Sequence, residues 1–283
     1  MSFGRAQASY GTFGDHGSDE HASLDGATVN IIYWPPGYTN RNQQFVEGSI
    51  TSAACRYLSC GAYAVSPGHI AIQVVEADGH EYYLSVGPDK SPDEQKKLSQ
   101  KLSVGRAAYE TEFLNDAEAF AEVGRAPFIK TVDFVDPIKV KNFIVKFNGI
   151  NGCLTHLENA IKSLEHIKGS DVRSFLEQAQ QSYRDAKSGI DAALLAATAM
   201  HADGKISRDE WENILRLKEY CDAHMDEIGN STDIARLIDV LNGGVKLAEK
   251  AAGKDAFYSL TADIKAWGNN CVSIASEAVC YGD

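Results

Sequence analysis

Gly68-His69-Ile70-Ala71-Ile72-Gln73-Val74-Val75, followed after Glu76-Ala77-Asp78-Gly79-His80 by Glu81-Tyr82-Tyr83-Leu84-Ser85-Val86-Gly87-Pro88, is the stretch that decides the fold class. Two β-branched and aromatic runs around an Asp-Gly turn read as a β-hairpin. Burial sets the register. With Ala77-Asp78-Gly79 as the loop and Gly79 left-handed, Ile70 faces Val86, Ile72 faces Leu84 and Val74 faces Tyr82, and that face is wholly apolar. A one-residue slip mixes Ile70 and Ile72 with Ser85 and Gly87 and forfeits the face. The favoured register puts His69, Ala71, Gln73, Tyr83 and Ser85 on the other face, with Ser85 a diagonal neighbour of His69. A histidine opening a strand beside a hydroxyl is a candidate general base with an orienting partner. The plainer alternative is a solvated strand-end histidine.

Moving outward, Val29–Trp34 is a further β-branched run, stopped by Pro35-Pro36-Gly37. Residues 1–26, rich in Gly, Ser, His and Asp without periodicity, read as a disordered leader. A short helix is expected around Ser49–Leu58. Residues 91–125 read as charged and helical, Phe128–Phe134 as a strand, and Ile138–Phe147 as a helix carrying Val140, Phe143, Ile144 and Phe147. From 154 the texture turns wholly helical, with segments Leu154–Lys168, Asp171–Lys187, Ile190–His201, Arg208–Glu227 and Thr232–Ala252 between Gly, Ser and Asn breaks. The expected organisation is a leader at 1–26, an α+β domain from 27–153 plus 255–283, and an all-helical insertion at 154–254.

The second candidate group lies near the end. In Asn269-Asn270-Cys271-Val272-Ser273-Ile274-Ala275-Ser276-Glu277-Ala278-Val279 the pattern turns helical, with Cys271, Ile274, Ala275, Ala278 and Val279 on one stripe. An Asn cap puts Cys271 in the first turn, where the helix dipole favours a thiolate. The alternative is a small apolar anchor. A rival thiol is Cys153 in Asn151-Gly152-Cys153-Leu154-Thr155-His156, read as a helix start after a Gly turn, although the stripe of Leu157, Ala160, Ile161 and Leu164 points it inward.

Composition narrows the function. The net charge of −12 argues against a broad nucleic-acid or anionic-membrane surface. The six cysteines lack paired zinc spacing, so reduced thiols are expected, and a local bridge between Cys55 and Cys60 stays open. No metal or cofactor is expected. His16 and His21 read as solvated. The Ala202-Asp203-Gly204-Lys205-Ile206-Ser207-Arg208-Asp209-Glu210 segment is like an EF-hand loop, but Ala199 and His201 fall where oxygen ligands are needed. It reads instead as an Asp-Gly turn with a Ser207 N-cap, a pattern that also resembles TerB-type helical domains. No signal-peptide pattern or membrane-length apolar run occurs, so a cytoplasmic location or delivery by a specialised secretion system is expected.

The blocks Gly68–Gln73, Tyr83–Pro88 and Asn269–Ala275 with Gly282 resemble those of circularly permuted papain-fold thiol enzymes. That group includes NlpC-type hydrolases, PPPDE peptidases and the lecithin–retinol acyltransferase family. The likeness is closest to a bacterial effector-like branch, and the histidine precedes the cysteine in the chain, as here. The resemblance implies an antiparallel sheet packed on a C-terminal Cys-bearing helix, Cys271 as nucleophile, His69 as base and Ser85 as third member. Ser85 departs from the His, Asn or Gln common there, which leaves Tyr83 and His80 as substitutes. The activity expected is cysteine-dependent hydrolysis or transfer at an amide, peptide or isopeptide bond of a protein substrate, as in an effector or toxin, with the helical insertion recognising that protein. Alternatives are a lipid acyltransferase or phospholipase of the same fold, and a non-catalytic interaction protein using the helices.

Overall fold

A computed structural model describes residues 26–35, 37–39, 45–47, 64–66, 69–88, 104–122, 125–167, 172–253, 257–259 and 271–283. Residues 1–25 of the expected leader, the helix expected at Ser49–Leu58, Cys55, Cys60, and the Asn269-Asn270 cap lie outside the described residues.

The hairpin forms as the sequence dictates. β5 (His69–Val75) and β6 (Glu81–Pro88) pair with Ala71 opposite Ser85, Ile72 opposite Leu84 and Val74 opposite Tyr82. Gly79 takes φ +87°, which the turn requires and a side chain resists. β1 (Thr28–Trp34) pairs with β5 on one side and with β8 (Phe128–Val132) on the other. β7 (Val104–Glu110) extends the sheet beyond β6, and β9 (Phe257–Ser259) closes the order β8-β1-β5-β6-β7-β9. All of these pairs are antiparallel. Three short strands, β2 (Gly37–Thr39), β3 (Phe45–Glu47) and β4 (Ala64–Ser66), form a second sheet in the order β3-β2-β4. The fold is α+β with antiparallel sheets.

Several helical expectations need correction. Val104–Glu110, expected to be helical, is a strand, because pairing with β6 and β9 outweighs an Ala-containing sequence. Only α1 (Phe113–Glu122) is helical in that region among the described residues. The two helices expected at Ile138–Phe147 and Leu154–Lys168 are one, α2 (Pro137–Glu165), with Asp136 as N-cap and Pro137 at its start. The junction expected at 153/154 falls inside it. Asp171–Lys187 and Ile190–His201 are likewise one helix, α3 (Val172–Ala202). Gly189, which falls between two of the expected helices, and Gly149 are close-approach residues: a Cβ on Gly149 would lie 2.4 Å from the Gly189 carbonyl oxygen. α4 (Arg208–Ala223) and α5 (Met225–Asn230) divide the expected Arg208–Glu227 helix at His224, and α6 (Ile234–Ala252) follows. The Asp203–Ser207 segment is the expected turn, with Gly204 at φ +68° and Ser207 accepting from the Glu210 amide at 3.1 Å.

The last helix, α7 (Cys271–Gly282), packs on α2, β5 and β6. Its Ile274 and Ala278 join Ile72, Val74, Leu84 and Val86 in a core that continues without a break through Phe143, Leu157, Tyr183, Ile214 and Leu241 of the helices. The opposite face of the sheet carries a smaller core of Ile32, Trp34, Ala71 and Tyr83, packed against Phe113 and Phe120 of α1. A row of polar side chains fills the rest of that face: Thr131 donates to Asn30, Asn30 to Gln73 and Gln73 to Glu81.

Candidate functional site

The site is built on the smaller core. β1 and β5 bring Trp34 opposite His69, and β6 places Tyr83 and Ser85 on the same face one strand over. The diagonal pair expected from the register is a contact: His69 Nε2 and Ser85 Oγ are 2.6 Å apart. Trp34 and Phe120 wall the imidazole, with ring centroids 5.4 and 5.2 Å from it, and their own rings lie 4.7 Å apart. The His69 side chain is 12 % exposed.

The structure adds a residue that sequence reasoning missed. Asp116 of α1 sets Oδ2 3.5 Å from His69 Nε2 and accepts the Tyr83 hydroxyl at 2.8 Å. Glu110 prepares its position. At the end of β7 its Oε1 accepts the amides of Thr111 and Glu112 and the side chain of Asn115, fixing the entry into α1. Asp116 then falls in the first helical turn, where the dipole favours a carboxylate. At the other end Arg125 secures the same helix: its amide donates to Phe120 O at 2.9 Å, and its guanidinium lies 4.6 Å over the Phe120 ring. Its Nη2 donates to the carbonyls of Trp34 and Pro35 at 3.2 and 2.8 Å.

Electrostatics favour an ionised Asp116 and a protonated Tyr83. Burial alone would raise the Asp116 carboxyl, but hydrogen bonds from His69, Ser85 and Tyr83, with the charge of His69, outweigh it and keep the group below the usual carboxylate range. Burial and the Asp116 charge push the Tyr83 phenol far above its ordinary value, so it stays a donor. An ionised acid beside an imidazole can orient the ring and stabilise its protonated form.

No family model, curated protein or solved structure matches the chain. The site therefore rests on its own geometry.

His69 and Ser85 come together. Tyr83, one of the two substitutes, donates to Asp116. His80, the other substitute, sits in the turn at the far end of the hairpin, its ring edge-on to Tyr82, about 20 Å along the strand from His69. Cys153 is not at a helix start. It lies in the middle of α2, fully buried, and its hydrogen bond with Cys221 and its burial push the thiol up. That environment belongs to a structural cysteine.

Cys271 opens α7, while its side chain lies outside the described residues. The course of the helix backbone is informative. The Gly282 carbonyl accepts the Asp136 amide at 2.9 Å, and a Cβ on Gly282 would meet Val135 and Val140, so the last turn is tied beyond the Val132–Val29–Val74 end of the sheet. Twelve residues of helix span about 18 Å. Along that length it packs against β5, the strand that opens with His69, and against β6. The helix lies on the Ile72 and Leu84 face and the His69 ring on the other. Among the described residues, no group of three or more His, Cys, Asp and Glu is arranged to hold a metal ion. No described helix is long and apolar enough to cross a membrane.

Proposed function

We propose that the chain is a cysteine-dependent hydrolase or transferase that acts on an amide, peptide or isopeptide bond of a protein substrate, in a permuted papain-like arrangement of sheet and C-terminal helix. The observation that carries this reading is a partly buried strand-opening histidine whose Nε2 is held by Ser85 and Asp116, on the strand against which the helix starting at Cys271 packs. In this reading the Cys271 sulfhydryl gives its proton to His69, the thiolate attacks the substrate carbonyl, and the imidazolium protonates the leaving amine. Water or an acceptor amine then releases the acyl group. Because α7 and the imidazole lie on opposite faces, this step requires thiol and ring to approach each other past the end of β5 rather than across the sheet. The helices offer the surface for a protein partner.

The test is cysteine-by-cysteine alkylation of the full chain at mildly acidic pH, read by mass spectrometry. Exposed Cys280 is the comparator. Cys271 is expected to label at least tenfold faster, and His69→Ala to remove that advantage. Labelling of Cys271 no faster than Cys280 rejects the proposal.

A further inference from the structure

We propose that the outer edge of β8 is a docking site for an extended segment of the protein substrate, which adds to the sheet as a further antiparallel strand and carries an acidic residue opposite Lys130. β8 ends the order β8-β1-β5-β6-β7-β9, and among the described residues no strand pairs with its outer side. Phe128, Ile129, Lys130 and Thr131 are all exposed. Of the seven large apolar residues exposed among the described ones, four fall between 128 and 138: Phe128 at 60 %, Ile129 at 53 %, Phe134 at 71 % and Ile138 at 47 %. An edge that presents backbone amides and carbonyls together with apolar side chains is a template for another strand. Both faces contribute. Phe128 lies opposite half-buried Tyr33 and Lys130 opposite half-buried Ile31 on one face, while Ile129 and Thr131 lie opposite Ile32 and Asn30 on the other.

Charge and area choose the occupant. A second copy paired residue for residue across a twofold axis would centre on Lys130, the middle of β8, and set two lysines opposite each other, which is destabilising. With an aromatic side chain offering roughly 200 Å², the four exposed residues present about 400 Å², enough to mark an interaction site on a monomer. Doubled to about 800 Å², the patch falls short of the about 1,200–2,000 Å² of a stable dimer. A single partner strand needs less area, because main-chain hydrogen bonds supply affinity. An acid opposite Lys130, which has no ion pair among the described residues, turns repulsion into attraction. In the antiparallel sense the partner strand runs from Val132 toward Phe128. Phe128 faces Tyr33, next to the Trp34–His69 pair, so the residues that follow the docked strand leave at the sheet end where β5 opens. Under the function proposed above, on which the word substrate rests, that is where the scissile carbonyl is needed.

The probe is acetyl-Val-Thr-Glu-Val-Phe-amide, titrated into the full chain and followed by the backbone 1H–15N signals of residues 128–132. Those signals are expected to shift and their amides to exchange more slowly. The same peptide with Lys in place of Glu should bind about fivefold more weakly, and Lys130→Glu should reverse that preference. N-methylation of one alternate set of peptide amides should abolish binding, and of the other set should leave it. Binding that survives both methylations, signals of β8 that do not shift, or a preference that Lys130→Glu leaves unchanged overturns the proposal. So does a concentration-dependent dimer of the free chain whose β8 amides are already protected, since that puts a second copy on the edge. The two proposals fail separately. Peptide binding at β8 with slow Cys271 labelling rejects the enzyme reading alone, and fast Cys271 labelling without peptide binding rejects the docking site alone.

Discussion

Gly149 and Gly152, three residues apart on α2, should respond to alanine with opposite signs. Each loses the helix-interior penalty of glycine, a gain of about 1 kcal/mol. For Gly152 nothing lies within 4 Å of an added Cβ, so the gain stands and the variant should be more stable by about 1 kcal/mol. For Gly149 the new Cβ meets the Gly189 carbonyl oxygen at 2.4 Å and the Ala193 Cβ at 2.8 Å. Ordinary contact begins at 3.4 Å, so the helices must part by roughly 1 Å, and the obstacle is α3 backbone that cannot rotate away. Overpacking of this kind costs about 1–3 kcal/mol, and a rigid obstacle belongs at the upper end. Net of the helical gain, Gly149→Ala should lose about 2 kcal/mol. Near 2–4 °C per kcal/mol, thermal unfolding of the full chain followed by circular dichroism should show Tm about 4–8 °C lower for Gly149→Ala and about 2–4 °C higher for Gly152→Ala. A Gly149→Ala chain as stable as the parent refutes the close crossing of α2 and α3. Loss of stability in both variants refutes the continuous helix, since that is how glycines in a turn behave.

Other consequences follow from the same physics. Asp116 binds its proton more weakly in the folded chain than in the unfolded one, so its contribution to stability is complete above the ordinary carboxylate pKa near 4 and is lost as pH falls through the lower folded value. Denaturation at several pH values should therefore show a shallower acid decline in Asp116→Asn, and an unchanged slope would contradict the depressed carboxyl. Cys153 and Cys221, both fully buried, should alkylate only as fast as the chain unfolds and accelerate with urea, whereas labelling at the Cys280 rate in native buffer would contradict their burial. Ser207→Ala removes the cap that accepts from Glu210 and should cost about 1 kcal/mol in a urea titration, an effect absent if Ser207 does not cap α4.

The hairpin was legible because its determinants are local. An Asp-Gly turn and a two-residue alternation leave one register with a fully apolar face, and the His69–Ser85 contact follows from it. The glycines were illegible as a set because a single helix does not say whether a Gly ends it or lets another helix approach. A signal was present nonetheless: Gly189, Ala193 and Ala197 recur every four residues on α3, the small-residue stripe a close crossing needs, and both alanines are fully buried. Asp116 had no such signal. An acid in the first turn of a charged helix looks like a dipole complement, and only the pairing of β7 with β6 carries α1 over the histidine.

The placement of the Cys271 helix shows where periodicity stops informing function. The stripe of Ile274, Ala275 and Ala278 says which side of α7 is buried, and all three are buried. It does not say which face of the sheet receives that side. The face of Ile72, Val74, Leu84 and Val86 offers the larger apolar surface, extended by Val140, Phe143 and Phe147 of α2, and burial there is the stronger driving force. The histidine face is left to α1, whose Phe113 and Phe120 need only a small apolar patch and whose Asp116 needs a polar one. Hydrophobic patterning thus divides the sheet between two helices, one bearing the candidate nucleophile and the other the acid. The function proposed for the chain therefore requires the two to meet past the end of β5, where the strand opens with His69.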